Sequence, residues 1–224
     1  MASARTEASK AVQDYAKTIW SLGTRSDEPV STSAIAERLE VSPASASAMV
    51  KRLESMGLVE HEPYHGVSLT PAGERVALEV VRHHRLLELY LSEALGMSWD
   101  RVHEEAEVLE HAISPALSEL IAAKLGNPTH DPHGDPIPTA DGEIDETPTR
   151  PLADLQPGEQ GIFVRVSDSD PDMLRYLAQR GIAPGDRFEV LEREPFEGPL
   201  TVRFGDRSHV LGGALTQAMR TVTR

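Results

Sequence analysis

Between residues 83 and 111 the chain reads HHRLLELYLSEALGMSWDRVHEEAEVLEH, and its histidines and carboxylates recur three and four residues apart. On an α-helix, positions i, i+3 and i+4 share one face. His84 therefore converges with Glu88, His103 with Glu107, and Glu107 with Glu110 and His111. The spacing predicts helices here and two clusters of candidate metal ligands. A solvated acidic face explains many such charge runs, but it explains this set poorly. Val102, Ala106, Val108, Leu109, Ala112 and Ile113 surround the second cluster and place it close to a buried surface. Carboxylates crowded there repel one another unless a cation or protons neutralise them.

The chain contains no cysteine. Disulfides, thiolate zinc sites and cysteine nucleophiles are excluded, so any metal site is built from imidazole and oxygen ligands. A length of 224 residues suits one large domain or two to three small ones. No apolar run reaches the ~18 residues of a membrane span, and the start MASARTEASK lacks a signal-peptide core; a soluble, cytoplasmic protein without membrane contact is expected.

The formal net charge of −14 argues against a general nucleic-acid binder, yet the charge is uneven. Residues 1–82 carry 9 Lys+Arg against 11 Asp+Glu, whereas residues 83–126 carry 3 against 8. The amino-terminal third is the part least hostile to phosphate, and a protein this acidic that binds DNA would gain affinity by first taking up divalent cations.

Val12, Tyr15, Ala16, Ile19 and Trp20 follow a helical period that sets Asp14 beside the apolar stripe, and Gly23 should end that helix. The segment STSAIAERLEVSPASASAMVKRLESMGLV reads as two short helices. Ser31, Thr32 or Ser33 caps the first, Ser42 followed by Pro43 starts the second, and Gly57 ends it. Ala36, Leu39, Val41, Ala46, Met49, Val50 and Leu53 form the inner face. Ser42, Ser45, Ser47, Lys51 and Arg52 point outward, which suits a helix-turn-helix reader in the major groove. Strand-like alternation at 58–62 and 67–70, around Pro63-Tyr64-His65-Gly66, predicts a hairpin wing.

Thr70-Pro71 opens a long helix, Ser98 is the expected cap of a helix holding His103 to His111, and Ser114-Pro115 opens another that ends at Gly126. Leu86, Leu87, Leu89, Leu91, Leu117, Leu120 and Ile121 present more apolar surface than one small domain covers, so a homodimer interface is the expected cover. From 127 to 151, prolines, glycines and acids without periodicity mark a linker. Within it, His130 to Asp135 reads either as a source of metal ligands or as a polar turn. Strand-like runs at 161–166, 187–191 and 200–204, with a helix from Asp172 to Arg180, read as a small β-barrel.

The winged helix, the HHRLLE and VHEEAEVLEH segments, the DPHGDPIP linker and the terminal barrel together resemble the three-domain type of the DtxR/MntR family of metal-dependent transcriptional repressors. The resemblance covers essentially the whole chain after residue ten. It implies a mainly α fold with small β parts: a winged helix-turn-helix DNA-binding domain (1–72), a helical metal-binding and dimerisation domain (73–126), the linker (127–151) and an SH3-like, FeoA-like barrel (152–224). Carried over, the primary metal site falls on Asp14, Glu107, Glu110 and His111. The ancillary site falls on His84, Glu88 and His103, completed from the linker or barrel by Asp131, His133, Asp168, Asp170 or Asp172. Glu107 stands where iron-responsive members carry cysteine, and Asp14 where they carry methionine, which points to the manganese branch. Lys17 stands where a shorter manganese-responsive member has a metal-binding glutamate, which argues against a closely spaced binuclear centre.

The donor chemistry agrees independently. Carboxylates with one imidazole make a hard site suited to Mn²⁺ or Fe²⁺, although Zn²⁺, Co²⁺ and Ni²⁺ bind such sites in vitro. The expected function is a Mn²⁺-activated, homodimeric repressor of metal-uptake genes on a palindromic double-stranded operator, with an Fe²⁺-responsive repressor as the alternative. Ser42, Pro43, Ser45 and Ser47 are the candidates for DNA contact, with Lys51, Arg52 and the wing's His65 on phosphates. A helical-bundle metalloenzyme is disfavoured, because neither paired Glu-x-x-His nor His-Glu-x-x-His spacing occurs in 83–111. No catalytic residue is assigned. The barrel is expected to contact its own chain or another protein, with Pro157-Gly158 and the 195–198 loop exposed.

Overall fold

The computed structural model describes residues 9–24, 28–62, 65–145, 147–196 and 198–223. The chain divides into two compact units. The first holds residues 1–83, 110–113 and 138–143, and the second holds 84–109, 114–137 and 144–224.

In the first unit, α1 (Lys10–Gly23) buries Val12, Tyr15, Ala16 and Ile19 on one stripe, as their spacing requires. The helices α2 (Thr32–Arg38) and α3 (Pro43–Ser55) begin where their sequence says. Ser31 Oγ accepts the amide of Ala34, and Ser42 Oγ accepts that of Ser45. Each such cap stabilises its helix by ~1 kcal/mol. Gly57, at φ +72°, follows the end of α3 and turns the chain into the wing. The strands β1 (Val59–Glu62) and β2 (Gly66–Leu69) pair antiparallel, and Val30 adds a bridge to Val67. Pro63 and Tyr64, at the expected wing tip, lie outside the described residues. Ile35, Val50, Leu53 and Val67 close the core with the stripe of α1.

The long α4 (Pro71–Leu95) contributes its first half to this unit and its second half to the other. In the second unit it is joined by α5 (Val102–Leu109) and α6 (Pro115–Lys124). Leu86, Leu87, Leu89, Leu91 and Ile121 are buried within the single chain, which corrects the expectation that a partner covers them. Leu117 and Leu120 of α6 remain 45% and 68% exposed, and Val108 is exposed as well.

The predicted helix from His103 to His111 stops at Leu109, and Ser98 does not cap it. Ser98 Oγ instead donates to Asp100 Oδ1 at 2.6 Å. Glu110 and His111 form a turn of the first unit, where the Glu110 carbonyl accepts from His83 Nδ1 at 3.3 Å. That carbonyl is turned to a side chain rather than to a continuing helix.

The stretch expected to be a linker is anchored at its centre. In the second unit Asp131, His133, Gly134, Pro136 and Ile137 are buried. Asp131 Oδ1 accepts the amides of His133 (2.8 Å) and Asp135 (2.9 Å), closing a tight turn. Beyond it come β3 (Arg150–Pro151), β4 (Gln160–Val166), α7 (Pro171–Arg180), β5 (Arg187–Arg193), β6 (Leu200–Phe204), β7 (Arg207–Leu211), α8 (Gly213–Ala218) and β8 (Met219–Thr223). The strands pair antiparallel in the order β3-β8-β4-β5-β6-β7. Among the described residues the end strands β3 and β7 do not pair, so the expected barrel is an open six-stranded sheet. Phe163, Val190, Val202 and Leu211 pack on one side of it with Leu174 and Leu177 of α7.

The 131–137 turn, hereafter the strap, lies against β4. The Val166 amide donates to the His133 carbonyl at 3.0 Å. Gly134 has φ +87°, and a Cβ there would stand 1.9 Å from the Val164 carbonyl oxygen. Only glycine permits both the conformation and the approach. Among the described residues no helix is long and apolar enough to cross a membrane.

Candidate metal centres

In the first unit α1 places Asp14 one helical turn from Lys10 and beside the buried stripe, and the 110–113 turn supplies Glu110 and His111. One ligand atom from each of Asp14, Glu110 and His111 lies within 4.8 Å of the others. His111 Nε2 is 2.8 Å from Asp14 Oδ1 and 3.3 Å from Glu110 Oε1. His111 Nδ1 is 2.7 Å from Gln13 Oε1. Because an amide oxygen only accepts, Nδ1 carries a ring proton, and Nε2 is turned toward two carboxylate oxygens. Nε2 is buried and makes no hydrogen bond of good geometry. A shared cation, or a proton on Nε2, reconciles two carboxylate oxygens with that nitrogen. Glu110 is 1% exposed, and Lys17 Nζ donates to both of its oxygens, at 3.0 and 2.7 Å.

Glu107, expected at the primary site, belongs to the second unit. Its Oε1 lies 3.8 Å from His84 Nδ1 and 3.9 Å from His103 Nε2.

In the second unit, α4 carries His84 and Glu88 on one face and α5 carries His103. His84 Nε2 is 3.0 Å from Glu88 Oε1 and 3.1 Å from His103 Nδ1. His103 Nδ1 is also 2.9 Å from Asp168 Oδ2, in the loop after β4. His84, Glu88, His103 and Asp168 therefore converge, and Glu88, Asp131 and His133 form an adjoining, fully buried group that shares Glu88. Glu88 Oε2 and His133 Nδ1 stand 3.8 Å apart, and neither has a hydrogen-bond partner. The other ring nitrogen of His133 is 2.8 Å from the Trp99 carbonyl, which only accepts, so Nε2 carries a proton and Nδ1 is the nitrogen turned to Glu88.

The electrostatics show what this cluster does in the absence of metal. Burial disfavours a charged His103, but hydrogen bonds to Asp168 and Glu88 outweigh it and push the ring up to about 10. For His133, burial is likewise outweighed by Glu88 and Asp131, and its value rises to about 9. Glu88 is held well below the ordinary carboxylate range; burial opposes this, and the three histidines overcome it. Asp131 moves the other way, raised by burial and by the nearby charges of Asp135 and Glu88. The cluster thus gathers protons in place of a cation.

Asp170 and Asp172 do not join it. Asp170 caps α7, accepting the amides of Asp172 and Met173 at 3.0 and 3.3 Å. Asp172 is solvent-exposed and pairs with Arg175. Asp135 faces Arg85 at 3.4 Å and Arg165 at 3.3 Å. Of the residues expected to contact DNA, Ser42, Pro43, Ser45, Ser47, Lys51 and Arg52 are exposed at the start of and along α3, and His65 is exposed on the wing. The hydroxyls of Ser42 and Ser45 are 2.8 Å apart, so the helix cap already engages both.

Comparison with known proteins agrees with this layout. Residues 7–67 match the family model described as "Iron dependent repressor, N-terminal DNA binding domain", and residues 70–139 match its "metal binding and dimerisation domain". Residues 150–220 match the FeoA domain. Over 219 residues, 92% of this chain and 94% of the relative, the sequence is 31% identical to the iron-dependent repressor IdeR of Mycobacterium leprae (strain TN). The chain belongs to the DtxR/MntR family of metal-dependent transcriptional repressors.

A solved structure titled "Manganese-dependent transcriptional repressor complex with manganese" is 46% identical to this repressor, with a TM-score of 0.88 over 95% of this chain and 100% of that one. The structure of the manganese regulator SloR is 32% identical, with a TM-score of 0.75 over 95% and 98%. Membership of a family of repressors removes the metalloenzyme reading. Sequence reasoning about the repressor missed Gln13, which orients the His111 ring, and the Trp99 carbonyl, which orients His133. Neither has a sequence signal, since a backbone carbonyl carries none and Gln13 is an ordinary helix residue.

Proposed function

We infer that this repressor is activated by Mn²⁺ and binds a palindromic DNA operator of metal-uptake genes as a homodimer. The observation that carries the reading is the convergence of His111 Nε2, buried, on Asp14 Oδ1 and Glu110 Oε1 at 2.8 and 3.3 Å. Asp14, Glu110 and His111 would hold the primary ion, and Glu107 is the further ligand that the family resemblance assigns to it. His84, Glu88, His103 and Asp168, with Asp131 and His133 alongside, would hold the ancillary ion. A divalent ion supplies positive charge that draws these donors together and neutralises them.

The oxygen and imidazole donors, with no sulfur in either group, favour Mn²⁺ or Fe²⁺. The 46% identity to a manganese-dependent repressor favours the first, while the iron-dependent IdeR relatives keep the Fe²⁺ reading as the alternative. Asp14 lies on the helix that packs against α2 and the wing, whereas Glu110 and His111 continue the chain from α5. An ion held by all three fastens α1 to that turn, and a coupling of ~1–3 kcal/mol makes a useful switch. Ser47, Lys51 and Arg52 of α3 and His65 of the wing are the groups offered to DNA. Leu117 and Leu120 are offered to a second copy, an oligomer that the dimerisation domain of the family implies.

The test is His111→Ala. Metal-stimulated operator binding should disappear while helix content stays unchanged, and manganese-dependent affinity equal to that of the wild type would overturn the assignment. Parallel titrations with Fe²⁺ and Zn²⁺ decide between the metals.

A further inference from the structure

The buried carboxylate of Glu110 already has a cation. Lys17, three residues along α1 from Asp14, reaches both Glu110 oxygens at 3.0 and 2.7 Å, and its side chain is 20% exposed against 0% for Glu110. The shorter bond is to Oε2, while Oε1 faces His111 Nε2. One carboxylate is thus shared between a fixed ammonium on one edge and the candidate metal position on the other.

We propose that Lys17 is a positioning residue that acts as an internal competitor to the metal. Its ammonium neutralises and orients Glu110 in the metal-free protein, and it opposes the arrival of a divalent ion on the same carboxylate. The inference rests on the reading of Asp14, Glu110 and His111 as the primary site. The geometry explains how a buried carboxylate is tolerated without metal, since an uncompensated charge at such a site is strongly destabilising. It also sets a threshold. Two cations a few ångströms apart repel each other at the low effective dielectric of a partly buried site, so the ion binds only at a concentration sufficient to overcome the lysine or swing it toward water. A lysine is suited to that movement, because its ammonium sits on a flexible four-carbon stem. The result is a site that is preformed but weakened, and it answers to an excess of metal rather than to traces.

The experiment is calorimetric titration of the full-length protein with Mn²⁺, in a His84→Ala/His103→Ala background that removes two of the ancillary ligands. Lys17→Met should bind Mn²⁺ at least about tenfold more tightly than Lys17, as follows from deleting one unit of repulsion. Lys17→Arg, which keeps the charge, should retain the parental affinity. The metal-free Lys17→Met protein should also melt at a lower temperature than its parent, and Mn²⁺ should raise its melting temperature by more. Equal or weaker Mn²⁺ affinity in Lys17→Met overturns the proposal, as does a matching gain in Lys17→Arg. If the methionine variant fails to fold without metal, Lys17→Gln provides the same comparison. Adding His111→Ala separates the two readings. Should it leave Mn²⁺ binding intact, the primary site is misassigned. Should it abolish binding while Lys17→Met gives no gain, only the competitor role falls.

Discussion

Replacing Gly134 by alanine tests whether the strap is pressed on the sheet or merely lies near it. The new Cβ would sit 1.9 Å from the Val164 carbonyl oxygen, at a backbone φ of +87°. The left-handed conformation alone costs ~1–2 kcal/mol for a residue with a Cβ. Relieving the contact also requires the strap to retreat by more than an ångström, which breaks the 3.0 Å bond from Val166 N to His133 O and loses a further ~1 kcal/mol. The sum is ~3 kcal/mol, or about 9 °C in melting temperature for a protein of this size. Gly158 supplies the control: it has φ +91° in the same unit, and nothing lies within 4 Å of its would-be Cβ. Gly158→Ala should show the conformational cost alone, about 3–6 °C. Because the strap carries Asp131 and His133, Gly134→Ala should also weaken Mn²⁺ binding at the ancillary cluster, and Gly158→Ala should not. Thermal melts read by circular dichroism, with Mn²⁺ titrations of both variants, make the comparison. Equal losses in the two proteins, or unchanged metal binding in Gly134→Ala, would refute the reasoning.

The other predictions concern protons and assembly. His103 and His133 are raised from 6.5 to about 10 and about 9 in the metal-free fold; their contribution to stability is complete below pH ~6.5 and is lost as the pH climbs through 9 to 10. A coordinated imidazole has surrendered its proton, so Mn²⁺ binding near neutral pH should release protons and strengthen as the pH rises. Titrations in buffers of different ionisation enthalpy measure the release, and heats that do not depend on the buffer would exclude it. Leu120→Glu, at a position 68% exposed on α6, should shift sedimentation toward the monomer with little change in helix content; an unchanged oligomer would place the dimer contact elsewhere.

The helices were legible wherever a local signal set their limits. Ser31, Ser42 and Ser114 each accept an amide three residues on, and Pro43 and Pro115 stand at the first turn, so sequence and structure agree there. The end of α5 was not legible, because it depends on distant partners: Glu110 is held by Lys17, 93 residues away in the chain, and by His83. At the strap, prolines, glycines and acids read as a linker with either metal ligands or a polar turn at 130–135; the burial of that turn was not legible, because it depends on Asp131 satisfying two amides of its own turn. The choice among Asp168, Asp170 and Asp172 did carry a signal. Asp170 precedes Pro171, the arrangement of a helix N-cap, and that engages its carboxylate and leaves Asp168 to meet His103.

The two groups of ligands neutralise their carboxylates by different means, and the difference has consequences for a metal sensor. Around Glu88 the compensation comes from protons on His103 and His133, with Asp131 held toward its neutral form. Protons exchange with solvent, so metal occupancy there follows pH as well as metal supply. At Asp14, Glu110 and His111 the charge opposite Glu110 is the ammonium of Lys17, carried by the chain itself. It competes with an arriving ion for one carboxylate, whereas around Glu88 the competitors are ring protons. Lys17→His would replace that ammonium by an imidazole beside Glu110 and should change the pH dependence of metal-activated operator binding between 6 and 8, the range in which an ordinary imidazole titrates. A pH profile of operator binding superimposable on that of the wild type would show that the lysine is not part of the switch.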